Sequence, residues 1–335
     1  MNSGQLEVPG EGSNVEDTMI KKIIREFDGK LVKSAPIEQE KLKFNLTKSR
    51  KPTGVMRPKE IYEEIRKSVF GQAEAIKSLS VILYEHLLRQ EDGTRGRGIP
   101  KTNALLVGPT GCGKTLMAKA MADAVKVPFV RIDASSFVVR GYRGGMHTEQ
   151  IIDILLSAAN GHESIASRGI VFLDEVDKLA SSEDDWEGAT LHVQNELLSM
   201  IDGADFFYES DHLEYARTKF SFKDVLFIFG GAFERSHDRI KNVQDLVRYG
   251  LIPEFANRMG NIVTMEQTST DVLIKILITA VEEYSALLDI SDEERNIYIE
   301  LLASIINADK SLVKMGGRCI NPLVRRFFED RLFEL

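Results

Sequence analysis

Gly108-Pro-Thr-Gly-Cys-Gly-Lys-Thr115 follows the apolar run Asn103-Ala-Leu-Leu-Val107 and precedes the helix-like run Leu116-Met-Ala-Lys-Ala-Met-Ala-Asp123. Strand, glycine-rich loop and helix, in that order, are the context a phosphate-binding loop requires, and the octapeptide satisfies G-x-x-x-x-G-K-[S/T]. Backbone N–H groups of such a loop, with the start of the helix behind it, make a concave site for phosphate oxygens. Gly108, Gly111 and Gly113 let the backbone curl around the anion, and Pro109, Thr110, Cys112 and Leu116 complete its lining. Lys114 is expected to neutralise β- and γ-phosphate charge, and the Thr115 hydroxyl to ligate Mg²⁺. The stretch predicts a nucleoside triphosphate site.

Ile170-Val-Phe-Leu-Asp-Glu175 adds hydrolysis to binding. Four apolar residues before two carboxylates describe a strand buried on both faces of a parallel sheet, and ligands of open α/β sheets bind at the carboxyl edge. Asp174 is expected in the Mg²⁺ shell, and Glu175 to orient and deprotonate the attacking water. Asp177 and Lys178 read as local charge partners.

A chain of 335 residues, 43% hydrophobic and 28% charged, is long enough for two or three domains with ordinary globular usage. Its net charge of −8 and pI near 5.5 argue against nucleic acid as the main partner. No apolar run reaches the ~18 residues of a membrane span, and the N-terminus lacks a basic-then-apolar signal pattern. Two cysteines, Cys112 and Cys319, cannot build a disulfide framework, which suits a reducing cytoplasm.

Residues 1–57 read as an appendage. Met1 to Asn14 is Gly/Glu/Ser-rich, and Val15 to Phe27 spaces Met19, Ile20, Ile23, Ile24 and Phe27 as one amphipathic helix. Lys41 to Lys59 has no acidic residue and is broken by Pro52, Gly54 and Pro58; it reads as a solvated linker or an electrostatic docking site. Pro58 to Arg89 reads as two helices around Val69-Phe-Gly-Gln72. Strands at Asn103–Val107, Phe129–Asp133, Ile170–Asp174, Val225–Phe229 and Asn261–Met265 alternate with helices at Glu149–Ala159 and Ala189–Met200. That alternation specifies a parallel five-stranded sheet covered by helices over residues 58–265. From 266 to 335 the pattern is helical, with runs at Asp271–Leu288, Glu293–Ile306 and Pro322–Phe333, which gives a small helical domain.

Several further motifs, in order, resemble the AAA+ ATPases and, within them, the ClpX-type unfoldases. Val69-Phe-Gly-Gln72 resembles the family's adenine-cradling V-I-G-Q box, and Gly141-Tyr-Arg-Gly144 its G-Y-V-G pore loop. Phe229-Gly-Gly-Ala-Phe233 resembles the end of the fourth core strand, Leu251-Ile-Pro-Glu-Phe-Ala-Asn-Arg258 the arginine-finger segment, and Gly316-Gly-Arg318 the sensor-2 motif. The resemblance implies Val69 and Phe70 at the base, Arg258 acting on a neighbouring subunit's γ-phosphate, and Arg318 sensing the nucleotide from the small domain. It implies Tyr142 and Arg143 gripping polypeptide in a ring pore, a homohexamer, and ATP with Mg²⁺ as cofactors.

The chain departs from the family pattern in ways that bear on partners. The zinc-binding N-terminal domain is absent, so substrate or adaptor capture would fall to the N-terminal helix and linker. Only 17 residues separate Phe233 from Leu251, without the Ile-Gly-Phe-type loop that docks ClpP in the family. The second pore loop is reduced to the acidic Ser181-Ser-Glu-Asp-Asp-Trp-Glu187, and Phe206 to Tyr215 replaces the Arg-Lys-His loop. The chain stops before the small domain's last strand. The expectation is an ATP-driven protein unfoldase that threads polypeptide without ClpP. The ATP-binding subunit of a ClpXP-like protease and an ATP-gated assembly switch stand as alternatives.

Overall fold

The computed structural model describes residues 54–91, 98–138, 145–180, 189–209, 217–234 and 240–333. Helices α1 (Pro58–Ile65) and α2 (Ala73–Gln90) lead into strand β1 (Ala104–Val107) and helix α3 (Lys114–Val125). Then come β2 (Phe129–Asp133), α4 (Gln150–Ala158), the single turn α5 (Glu163–Ala166), β3 (Ile170–Asp174) and α6 (Ala189–Ile201). The hairpin β4 (Asp205–Glu209) and β5 (Arg217–Ser221) precedes β6 (Leu226–Gly231), α7 (Val243–Tyr249), α8 (Pro253–Arg258) and β7 (Asn261–Thr264). The chain continues as α9 (Thr270–Leu287), α10 (Asp292–Ala308), α11 (Lys310–Met315), α12 (Ile320–Phe327) and α13 (Glu329–Phe333).

The sheet has five strands in the order β2-β3-β6-β1-β7, every pairing parallel. Side chains alternate between its faces with the period of two that a pleated strand imposes. Leu105 and Val107, Val171 and Leu173, and Phe227 and Phe229 enter a core with α4, α6, α7 and α8. Ala104 and Leu106, Ile170 and Phe172, and Leu226 and Ile228 enter the opposite core, under α1 to α3. Both faces being covered explains why these strands read as unbroken apolar runs. A third apolar cluster, built on Leu273, Leu277, Leu302, Ile306, Ile320, Val324 and Phe328, belongs to the C-terminal helices alone. No helix among the described residues is long and apolar enough to cross a membrane.

Pro58 ends the basic run and opens α1, where the first of the two expected helices begins, since a first-turn proline gives up an N–H that has no helical partner anyway. Three details differ from the sequence expectations. The fourth core strand runs on through Gly230 and Gly231. The run Pro322–Phe333 is two helices, α12 and α13, with Phe328 buried between them. Within Phe206 to Tyr215, residues up to Glu209 belong to the antiparallel β4–β5 pair, held by the edge-to-face ring pair Tyr208–Phe220 and, through Phe206, by Phe222. The amphipathic run Val15 to Phe27, the basic run from Lys41 as far as Thr53, the loop Gly141–Gly144 with Tyr142 and Arg143, and Ser181–Glu187 lie outside the described residues.

Candidate functional site

β1 lies between β6 and the edge strand β7, and the loop after its carboxyl end curls back on itself. A Cβ on Gly108 would lie 2.6 Å from the Met265 carbonyl oxygen, so only hydrogen fits beside β7. Gly111 and Gly113 have φ of +83° and +97°, the region open to glycine. The loop then feeds the N-terminus of α3, whose first-turn N–H groups favour an anion. The Lys114 ammonium folds over the loop and donates to the carbonyls of Gly108 and Pro109 at 2.7 and 3.1 Å.

β3 lies one strand beyond β6, which brings its end level with the loop. Thr115 Oγ1 donates to Asp174 Oδ2 at 3.2 Å, so the two oxygens read as Mg²⁺ ligands are neighbours. Both are hard oxygen donors of the kind Mg²⁺ takes, and a Mg²⁺ bound with phosphates needs few protein ligands. Among the described residues no group of three or more His, Cys, Asp or Glu could hold a metal by itself. Donor type and spacing therefore fit a metal that arrives with phosphate oxygens. Glu175 stands in the left-handed region (φ 57°, ψ 34°), at a cost of about 1–2 kcal/mol for a residue with a Cβ. The turn leaves its carboxylate exposed while Val176 and Asp177 on either side of the next bend are buried. Gly230 on β6 permits this packing: a Cβ there would meet the Phe172 ring at 2.6 Å and Asp174 Oδ1 at 3.2 Å.

One cavity of about 580 Å³ collects Thr110 through Leu116, Asp174, Glu175, Val69, Phe70 and Arg318. Gly108 and Pro109 shape the loop without lining the cavity. Burial pushes the Cys112 thiol up, more than Lys114 and Arg318 draw it down, so Cys112 packs as a neutral thiol. The Val69–Gln72 box is tied to the start of the C-terminal helices. Gln72 donates through Nε2 to the Glu266 carbonyl at 2.7 Å and accepts the Glu266 N–H at 3.0 Å. Arg258 lies elsewhere, in a separate cavity of about 300 Å³ with Lys101, Asp202 and Asn261, where its Nε donates to Asp202 at 2.5 Å.

A family profile described as AAA domain (Cdc48 subfamily) matches residues 99–262. The ATP-dependent Clp protease ATP-binding subunit ClpX of Borrelia duttonii is 30% identical over 92% of this chain and 84% of its own length. ClpX 2 of Wolinella succinogenes is 32% identical over 83% of this chain and 78% of its own. The ClpX of Porphyromonas gingivalis is 30% identical over 88% and 82%. The chain belongs to the ClpX-type AAA+ ATPases. It is an enzyme of the class that binds and hydrolyses ATP.

In this AAA+ ATPase, sequence reasoning missed one wall of the cavity. Val272, Ile276, Thr279, Ala280 and Glu283 reach it from α9, Thr268 from just before that helix, and Asn321 from the first turn of α12. Positions 272, 276, 279, 280 and 283 form one stripe of a helix. The neighbouring stripe, Leu273, Leu277 and Val281, fills the third core. The spacing was visible in the chain; which stripe faced a ligand was not. Gln194 was missed as well. Fully buried on α6, it donates to the Leu179 carbonyl at 2.8 Å and accepts the Ile252 N–H at 2.9 Å, joining the turn after Glu175 to the start of α8.

Proposed function

We propose that this AAA+ ATPase couples ATP hydrolysis to unfolding or remodelling of polypeptide drawn through a ring of identical subunits, and that it does so in the cytoplasm without ClpP. The observation that carries the nucleotide part is the single cavity joining the glycine loop, the Asp174–Glu175 pair, the Val69–Phe70 box and Arg318. In this reading Lys114 leaves its loop carbonyls for the β- and γ-phosphates, and the base lies between Val69, Phe70 and the α9 stripe. Thr115 and Asp174 hold Mg²⁺, which supplies charge neutralisation on the phosphate oxygens. Glu175 orients the attacking water and takes its proton.

The working parts are residues 58–265, which hold the phosphates, and 266–335, which close the base side and contribute Arg318. Arg258 lines no part of its own subunit's nucleotide cavity, which supports action on a neighbour, and hence a homohexamer. An arginine acting across subunits is worth about 10³–10⁵ in rate. Tyr142 and Arg143 grip the polypeptide, and residues 1–57 recruit substrate or an adaptor. Two variants test the chemistry: Lys114→Ala should lose nucleotide affinity, and Glu175→Gln should hold ATP without turning it over. Tyr142→Ala should abolish ATP-driven unfolding of a tagged fluorescent substrate while hydrolysis stays within a few-fold of the parent. If remodelling persists at the parent rate in that variant, threading is wrong and an ATP-gated switch replaces it.

A second reading, an ATP-binding subunit of a Clp protease, is favoured by the names of the relatives. Against it stands the 17-residue connection from Phe233 to Leu251, part of which is α7. A stable complex with a cognate ClpP on co-sedimentation decides for the second reading.

A further inference from the structure

The acidic end of β3 is already occupied by a cation from the protein itself. Arg131 lies on β2, the edge strand, in register with Phe172 of β3. Its guanidinium donates to Asp174 Oδ2 twice, through Nε at 3.1 Å and Nη2 at 2.9 Å. The oxygen is the one that also accepts the Thr115 hydroxyl at 3.2 Å. The other carboxylate oxygen accepts the Glu175 backbone N–H at 3.1 Å. Asp174 is 7% exposed at its side chain and Arg131 50%.

A carboxylate this buried needs a counter-charge, and a guanidinium supplies one that no ordinary pH removes. Mg²⁺ is small, octahedral and reluctant to lose its water, so it needs the Asp174 lone pairs in a fixed geometry, directly or through bound water. One oxygen cannot serve three donors and a hydrated dication together. We propose that Arg131 is a built-in counter-cation for Asp174 that competes with Mg²⁺ for Oδ2, and so sets the Mg²⁺ concentration at which the site binds nucleotide tightly. This inference rests on the nucleotide reading above. Arg131 is a positioning residue here; its long, half-exposed side chain can leave Asp174 without opening the core.

The competition has opposite signs in two conditions. Without the ion, Arg131 shields incoming phosphates from the Asp174 charge and supports binding. With the ion, it must be displaced and opposes binding. The full-length parent, Arg131→Met and Arg131→Lys are titrated with a fluorescent ADP in EDTA and at graded free Mg²⁺. In Arg131→Met, the free Mg²⁺ giving half-maximal tightening should fall about fivefold, the scale of a half-exposed ion pair, while affinity in EDTA weakens about twofold to threefold. Arg131→Lys keeps the charge without the fork and should fall between. A ratio of metal-free to metal-loaded Kd within twofold of the parent, or an equal shift under both conditions, overturns the proposal. If Arg131→Met does not fold, an Arg131→Lys variant with the parent's ratio overturns it. A parent that fails to bind the fluorescent ADP even with Mg²⁺ overturns the nucleotide reading itself.

Discussion

Gly111 of the phosphate-binding loop and Gly316 before Arg318 meet backbone to backbone, and substituting either should separate the C-terminal helices from the loop. A Cβ on Gly111 would lie 2.2 Å from the Met315 carbonyl oxygen, and one on Gly316 2.4 Å from the Gly111 carbonyl oxygen. Ordinary contact would require the two segments to part by roughly 1 Å, and protein interiors do not absorb that without losing neighbouring contacts. The Gly317 N–H bond to the Gly111 carbonyl, 3.3 Å long, goes with it. For Gly111→Ala the left-handed backbone (φ +83°) costs about 1–2 kcal/mol and the lost bond about 1 kcal/mol more. For Gly316→Ala, at φ 65° and ψ −154°, the backbone cost is about 1–3 kcal/mol, with the same bond lost. Backbone costs add in the double variant, but the shared contact can be lost only once. Urea unfolding of the full chain should therefore show the double variant about 1 kcal/mol less destabilised than the sum of the singles. Nucleotide affinity should fall about tenfold in each single, because Val272, Ile276 and Arg318 retreat from the cavity. Strict additivity, or a Gly111→Ala protein with the parent's stability and affinity, would refute the reasoning.

Gln194→Leu should cost about 2–4 kcal/mol in urea unfolding, because the Leu179 carbonyl and Ile252 N–H lose their partner; a change under 0.5 kcal/mol, roughly the neutral range, counts against this. A buried base, His86, and a half-buried one, Lys101, set a pH dependence of stability. Burial, then the charges of Arg89 and Lys101, hold His86 to about 3, below its ordinary 6.5. The unfolded chain then binds more protons between those values, so stability falls as pH drops from 6.5 toward 3. Burial, then Arg89, lowers Lys101 to about 7 from 10.5, more than Asp202 and Asp224 raise it. That group's contribution is complete above 10.5 and is lost as pH falls to 7, with a slope of up to about 1.4 kcal/mol per pH unit. Lys101→Met should flatten the stability profile between pH 7.5 and 10, measured by urea midpoints; an unchanged slope there contradicts the assignment.

The chain by itself determined the strand–loop–helix at Gly108–Thr115, the acidic strand end at Asp174–Glu175 and the parallel sheet, because each is a local pattern. Glycines at fixed offsets, a buried apolar run and alternating periods all reflect forces acting within about ten residues. The hairpin β4–β5 was not legible because its pairing depends on aromatic contacts to Phe220 and Phe222, which propensity does not encode. The α9 wall of the cavity was legible as a helix but not as a ligand surface: two adjacent stripes both carry apolar residues, and only packing against the third core decides which is left for the cavity. Arg131, Gln194 and the Gly111–Gly316 contact were decided by tertiary structure alone. Each joins residues 43 to 205 positions apart, or bridges two elements through one side chain, and no local pattern carries that information. Local sequence sets which chemistry each strand end carries; the order in which the sheet seats β2, β3, β6 and β1 decides which of those groups share a charge.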